Sequence, residues 1–152
     1  MKIGYLADHR EHIPQLAGWL YAQWGYLHEN DSVERRVARL ESRTTRSGVP
    51  VTFVAVDGET LLGSASLVDD DLETRPELTP WLASVYVAPE HRGRGVASAL
   101  VRRVVEEAKG SGIDRLYLWT TDQERLYARL GWSPVERMRF QGEDIVVMAI
   151  EP

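Results

Sequence analysis

Cysteine is absent from the 152 residues. That excludes disulfide bridges, thiolate metal sites and a cysteine nucleophile, and it fits a reducing, cytoplasmic setting. No apolar run approaches the length of about 18 residues that crosses a bilayer. The opening MKIGYLADHR also lacks the apolar stretch of a secretion signal, so no membrane partner is expected. Positive charge is scarce: 18 Lys and Arg stand against 23 Asp and Glu, a formal net charge of −5. That balance argues against a broad nucleic-acid-binding face. No Gly-Lys-Ser or Gly-Lys-Thr occurs, which excludes a P-loop. Repeats, low-complexity runs and linkers are missing too, and residues 1–152 are expected to form one domain with its own core.

What is present is an ordinary globular composition, 43% hydrophobic and 27% charged. Residues 2–7 read as a short strand. Residues 11–27 place Ile13, Leu16, Ala17 and Leu20 on one side of a helix, with Trp24 one turn on and Pro14 in the first turn. Residues 32–46 read as a second helix, capped by Asp31 or Ser32, with Val33, Val37 and Leu40 as its apolar stripe. VTFVAV and LLGSASLV flank Asp57-Gly58-Glu59-Thr60, a strong hairpin signal. Residues 69–80, DDDLETRPELTP, read as a polar loop.

A strand over 81–88 precedes a helix over 95–109 carrying Val96, Leu100, Val104 and Ala108 on one face. A strand at 115–120 follows. Thr121 and Glu124 then have the spacing of a capping box, starting a short helix through Leu130 that Gly131 ends. Strands at about 133–140 and 144–150 close the chain. The order β-α-α-β-β-β-α-β-α-β-β predicts an α+β sheet with helices packed on it, not a doubly wound fold.

Chemistry concentrates in residues 85–100, VYVAPEHRGRGVASAL. A helix N-terminus presents unpaired N–H groups and partial positive charge. Gly93 and Gly95 remove side chains that would hold an anion away from this backbone, and Ala97 is the next small residue. Arg92 and Arg94 add donors suited to phosphate, so the fitting group is a pyrophosphate. A dinucleotide fingerprint fits less well. Ser98 takes the place of its third glycine, and Asp114, about twenty residues on, begins its strand instead of ending it. An oxidoreductase with a degenerate loop of that kind is therefore a rival reading.

The segment Arg92-Gly93-Arg94-Gly95-Val96-Ala97, after the Val85-Tyr86-Val87 strand and Pro89, matches R/Q-x-x-G-x-G/A. It resembles the coenzyme A loop of the GCN5-related N-acetyltransferase (GNAT) superfamily, and the order of strands and helices along most of the chain is similar too. The resemblance implies a mixed, mostly antiparallel twisted sheet of about seven strands flanked by helices. Acetyl-CoA would lie in a cleft where the fourth strand splays from the fifth. Val85 and Val87 would pair with its pantetheine arm, a strand N–H near Val87 would meet the oxyanion, and amides from Arg92 through Gly93, Arg94, Gly95 and Val96 to Ala97 would hold its diphosphate.

Leu126-Tyr127-Ala128-Arg129-Leu130-Gly131-Trp132 is similar to the family's L-Y-x-x-x-G-F/W segment, which implies Tyr127 as the acid for the departing thiolate. The implied activity is direct acetyl transfer, in a ternary complex and without metal, to a primary amine on a small molecule or a peptide N-terminus. The implied protein is a monomer or homodimer.

Two family features are missing. No asparagine precedes the Tyr127 helix, where the chain reads TTDQE, and no acidic residue lies on the fourth strand to act as base. These gaps leave a CoA-binding regulatory or sensing module as the alternative function. His28, Glu29 and Asp69 to Asp71 lie in loops that could supply a base. Trp24, His28, Glu29 and Asp70, with Trp19 and Tyr26 nearby, are the candidates for the acceptor pocket, where ring faces and carboxylates suit a cation.

Overall fold

Alternating apolar residues in β2 (Val51–Asp57) and β3 (Thr60–Val68) decide how the sheet is covered. Phe53 and Ala55 point to one side and Val54 and Val56 to the other, as the two-residue period of a strand requires. The computed structural model describes residues 1–152. It adds β1 (Lys2–Tyr5), β4 (Trp81–Val87), β5 (Leu116–Thr120), β6 (Ser133–Phe140) and β7 (Glu143–Ile150) to one seven-stranded sheet in the order β1-β2-β3-β4-β5-β7-β6. Every neighbouring pair is antiparallel except β4 with β5.

Helix α3 (Val96–Gly110) lays Val96, Leu100, Val104 and Ala108 against the Phe53 side, as the sequence pattern implies. Helices α1 (Ile13–Trp24) and α2 (Val33–Glu41) cover the opposite face with Leu16, Leu20 and Leu40. Full burial of each such leucine stabilises the fold by about 1.5–3 kcal/mol. A third cluster, around Trp81, Phe140 and Val147, fills the space behind β7 and the 69–80 loop. No helix is long and apolar enough to cross a membrane.

Several local expectations change. Helix α1 stops at Trp24 and continues as a 3₁₀ turn, Gly25–Leu27. Helix α2 stops at Glu41, not 46, and its buried residues are Arg36 and Leu40, with Val33 exposed. Arg36 is buried because it is ion-paired: its Nε and Nη2 reach Asp31 Oδ2 at 2.9 and 2.7 Å, both side chains nearly fully buried. Burial pushes the Asp31 carboxyl up, but Arg36 and the Ser32 N–H outweigh it and hold it below its ordinary value. Ser32 is the cap, accepting from the Arg35 N–H.

At the other short helix, α4 (Glu124–Arg129), the capping box is not formed. Thr120 Oγ1, one residue before Thr121, accepts from the N–H groups of Gln123 and Asp122 at 3.1 and 3.4 Å.

Two irregularities shape the middle of the sheet. The β3–β4 register shifts between Ser64 and Ser66, and Ser84 opposite takes a φ of 55°, held by Ser64 Oγ donating to its carbonyl at 3.1 Å. At Gly63 a Cβ would lie 2.3 Å from the Tyr86 carbonyl oxygen, so only glycine permits this close pairing.

The 69–80 segment is not a free polar loop. Leu72 is buried, Arg75 pairs with Glu136 of β6, Thr79 Oγ1 donates to the Asp69 carbonyl, and Trp119 Nε1 donates to the Asp71 carbonyl at 3.1 Å.

Candidate active site

Strands β4 and β5 touch at one position. Trp81 pairs with Tyr117, the Tyr117 N–H donates to the Pro80 carbonyl, and no pairing follows. From Leu82 to Val87 the β4 edge therefore faces an open cleft of about 800 Å³ that continues to α3, α4 and the 24–28 and 70–73 segments. The bulge at Ser84 turns the strand at this opening.

The loop from Ala88 to Gly95 enters α3 at one end of the cleft. Gly93 and Gly95 both have φ of 79°, a left-handed conformation that favours glycine, and a Cβ at either would meet open space. The amides of Gly93 through Ser98 donate to no protein acceptor; the first bond of the helix is Ala99 N–H to the Gly95 carbonyl. Six consecutive donors thus face outward at the positive end of a 15-residue helix. Beside them His91 keeps a buried Nδ1 without a partner. An acetyl-CoA diphosphate fits this surface because nothing in the protein competes for its donors.

Of the loop residues, Arg92, Gly93, Gly95, Val96 and Ala97 line the cleft together with Val85 and Val87 of β4, whereas Arg94 is exposed and does not. The Arg92 side chain is already engaged: Nε donates to the Val87 carbonyl at 2.8 Å and the guanidinium sits 5.6 Å from the Tyr86 ring centre. It fastens the loop to β4, and only its remaining nitrogens are left for a phosphate.

Tyr127 of α4 lies across the cleft, buried and packed edge-on against Trp132. Its hydroxyl has no protein partner among the hydrogen bonds of the fold. Burial, with a smaller contribution from the Asp122 charge, pushes its pKa well above the ordinary phenol value. Asp122 is exposed at the rim.

At the opposite end, Trp24, His28 and Asp70 line the cleft, and Glu29 does not. Trp19 and Trp24 pack on Tyr86 at 5.6 and 6.2 Å between ring centres, so the Trp19 ring is occupied by protein. Partial burial, and Arg36 nearby, lower the pKa of His28.

Two groups stand out here. Asp71 is half-buried and lines the cleft; burial raises its pKa to about 7, against the opposing pull of Arg43 and the Trp119 N–H. Arg43, just past α2, is 9% exposed and also lines the cleft. The sequence offers Asp71, within Asp69 to Asp71, as a candidate base, and Arg43 is not among its candidates. The available signal was the spacing of Arg36, Arg39 and Arg43, three, four and seven residues apart, although the helix itself ends at Glu41.

An α+β sheet opened at its one parallel pair, with an unfilled row of amides at the mouth, is the architecture of a coenzyme A-dependent acyltransferase. The family model described as "Acetyltransferase (GNAT) family" matches residues 13–132, and the chain belongs to this family. It is 30% identical over 95 residues to the uncharacterized N-acetyltransferase YobR of Bacillus subtilis, covering 59% of this chain and 35% of that protein. Over 73 residues it is 33% identical to the thialysine N-epsilon-acetyltransferase of Bos taurus, covering 41% of this chain and 43% of that one. The chain thus spans less than half the length of these two relatives. Among solved structures it resembles yncA of Salmonella typhimurium, determined with its cofactor acetyl-CoA, at a TM-score of 0.72 and 21% identity, covering 99% of this chain and 93% of that one.

Proposed function

We propose that this chain transfers the acetyl group of acetyl-CoA directly to the nitrogen of a primary amine. The observation that carries the reading is the run of unpaired amides from Gly93 to Ser98 at the mouth of a cleft walled by the unpaired edge of β4. The two curated relatives are both named as N-acetyltransferases, which supports nitrogen as the acylated atom. The donor supplies a thioester carbonyl: the amine forms a C–N bond there, the C–S bond breaks, and the amine N–H proton is given up while the thiolate gains one.

The chain's residues divide this work. Amides of the Gly93–Ala97 loop hold the diphosphate, with arginine charge close by. The free edge of β4 around Val85 and Val87 orients the arm, and an N–H there meets the oxyanion. Tyr127 faces the departing sulfur. A thiol has an ordinary pKa of about 8.5, so a phenol raised above its usual value stays protonated, and full transfer of its proton to the thiolate is uphill. Its contribution is a hydrogen bond that strengthens as charge develops on sulfur.

The test is a thermal-shift titration with acetyl-CoA followed by thiol release across an amine and peptide panel. Stabilisation by acetyl-CoA with release dependent on an added amine is the expected result; stabilisation by NAD(P) instead, or no amine-dependent release, rejects the reading. In Tyr127→Phe, loss of a hydrogen bond to a charged group, about 1.5–3 kcal/mol, lowers kcat roughly 10- to 150-fold with CoA affinity unchanged. Unchanged kcat removes Tyr127 from the reaction.

A further inference from the structure

Arg43 is a buried cation without an ion pair. Its Nη1 reaches only two hydroxyls, Ser66 Oγ at 3.4 Å and Ser84 Oγ at 3.5 Å, the second at the strained bulge of β4. The other arginine buried nearby, Arg36, has its ion-pair partner in Asp31. Burial lowers the Arg43 pKa to about 10, which leaves it charged at neutral pH, and the anion acting on it most strongly is Asp71. Asp71 in turn makes no ion pair: its carbonyl accepts from Trp119, and the half-buried residue lines the same cleft. Two opposite charges therefore share one cavity without touching. A desolvated charge left in this way is costly, and the cost falls when a ligand supplies the missing partner.

We propose, resting on the acetyltransferase reading above, that Arg43 and Asp71 form an acceptor subsite for an amine that also carries a carboxylate, an amino-acid-like acceptor, with the Arg43 guanidinium holding the carboxylate and Asp71 taking the proton of the ammonium. The proton step balances: the acceptor's –NH₃⁺ gives one proton to the Asp71 carboxylate and becomes the free –NH₂ that attacks the thioester, and Asp71 then returns the proton to solvent. A simple amine would leave Arg43 without an anion. A simple acid would leave Asp71 without a cation and bring no nucleophile. Asp71 also supplies, from the β3–β4 segment, the carboxylate that β4 lacks. The planar fork of arginine suits a carboxylate in two-point contact, and while Nη1 lies near the hydroxyls of Ser66 and Ser84, Nε and Nη2 donate to nothing in the protein.

The experiment compares each L-amino acid with its own α-carboxamide as acceptor, at saturating acetyl-CoA, for wild type, Arg43→Met and Arg43→Lys. For an α-amine the carboxamide is the more reactive nucleophile at neutral pH, because losing the carboxylate lowers the amine's basicity; a preference for the acid must come from the protein. At least one acid is expected to exceed its amide in kcat/KM by about tenfold or more, the scale of one charge-assisted contact. That ratio falls towards one in Arg43→Met and partly survives in Arg43→Lys, while the acetyl-CoA thermal shift is kept by both. Amide turnover equal to or above acid turnover throughout the wild-type panel, with acetyl-CoA bound, overturns the subsite alone. So does an acid preference that Arg43→Met leaves intact. If Arg43→Met does not fold, the wild-type ratio and Arg43→Lys still decide. Absence of acetyl-CoA binding is a different result, which removes the acetyltransferase reading and the subsite with it.

Discussion

The two ends of the cleft are built on opposite plans. At the mouth of α3 the ligand surface is backbone: exposed amides, two glycines in left-handed conformation, and almost no side chain that must be correctly aimed. At the far end it is side chain: a buried guanidinium, a half-buried carboxylate, an indole and an imidazole drawn from three separate segments. A backbone cradle is written in one short stretch of chain and tolerates change at its charged positions. A side-chain pocket depends on how α2, the 69–80 segment and β4 happen to meet, and it can be refitted to another acceptor by single substitutions. On the proposed reading, the donor meets a surface of the first kind and the acceptor a surface of the second.

Substitutions can break this contrast. The largest effect is expected at the backbone end, in Gly95→Val. A side chain at a φ of 79° costs about 1–2 kcal/mol, and it also stands where an anion must approach, so acetyl-CoA affinity measured by calorimetry should fall at least tenfold. Because a Cβ there meets open space, the core is untouched and acid-to-amide preference among acceptors is unchanged. If affinity holds, the mouth is not a backbone cradle and the contrast fails.

The second effect is at the side-chain end and is read in pH. Asp71 faces Arg43, with Arg36 and Arg39 further off, the Trp119 N–H beside it, and Asp70 and Glu73 on its own segment. Its carboxylate form accepts the proton, so wild-type kcat/KM rises with pH up to about 7, and Asp71→Asn loses that limb. Stability supplies an independent check. A folded-state pKa raised above the unfolded value means that the folded protein holds its proton more tightly. The Asp71 contribution is present below pH about 4 and is lost as pH rises towards 7. Asp71→Asn should therefore gain in stability relative to wild type between those values in urea titrations. A flat difference removes the perturbed carboxylate.

The smallest effect sharpens a detail of the fold. Thr120→Val should cost about 1 kcal/mol, the usual net worth of a side-chain hydrogen bond, whereas Thr121→Ala should stay within about 0.5 kcal/mol. The reverse order would restore the capping box.

What was legible followed the same division. Element order, the two hairpins and the α3 stripe are local patterns, and they stand within a residue or two of where the sequence places them. The left-handed glycine turn into α3 was legible because glycine placement and helix start are themselves local. Helix α2 ends earlier than its apolar pattern suggests because Thr44 Oγ1 donates to the Glu41 carbonyl and the Arg43 carbonyl accepts from the Thr52 N–H of β2, contacts the pattern does not show. Asp71 looked solvated among three aspartates. Trp119, 48 residues away, the buried Leu72 and the Arg75–Glu136 pair dock that segment against the rest of the fold. Arg43 was invisible because its surroundings, Ser66 and Ser84, are 23 and 41 residues distant. Even the cradle hid one detail: Arg92 fastens the loop to the Val87 carbonyl, a role no spacing announces.

The lone Trp81–Tyr117 rung leaves β1 to β4 and β5 to β7 as two plates joined at one corner. A molecule lying along the bare edge of β4 completes the interrupted ladder and acts as an extra strand between the plates. On the proposed reading the donor is such a molecule, a removable piece of the architecture, and the sheet is stiffer along that seam with it bound than without.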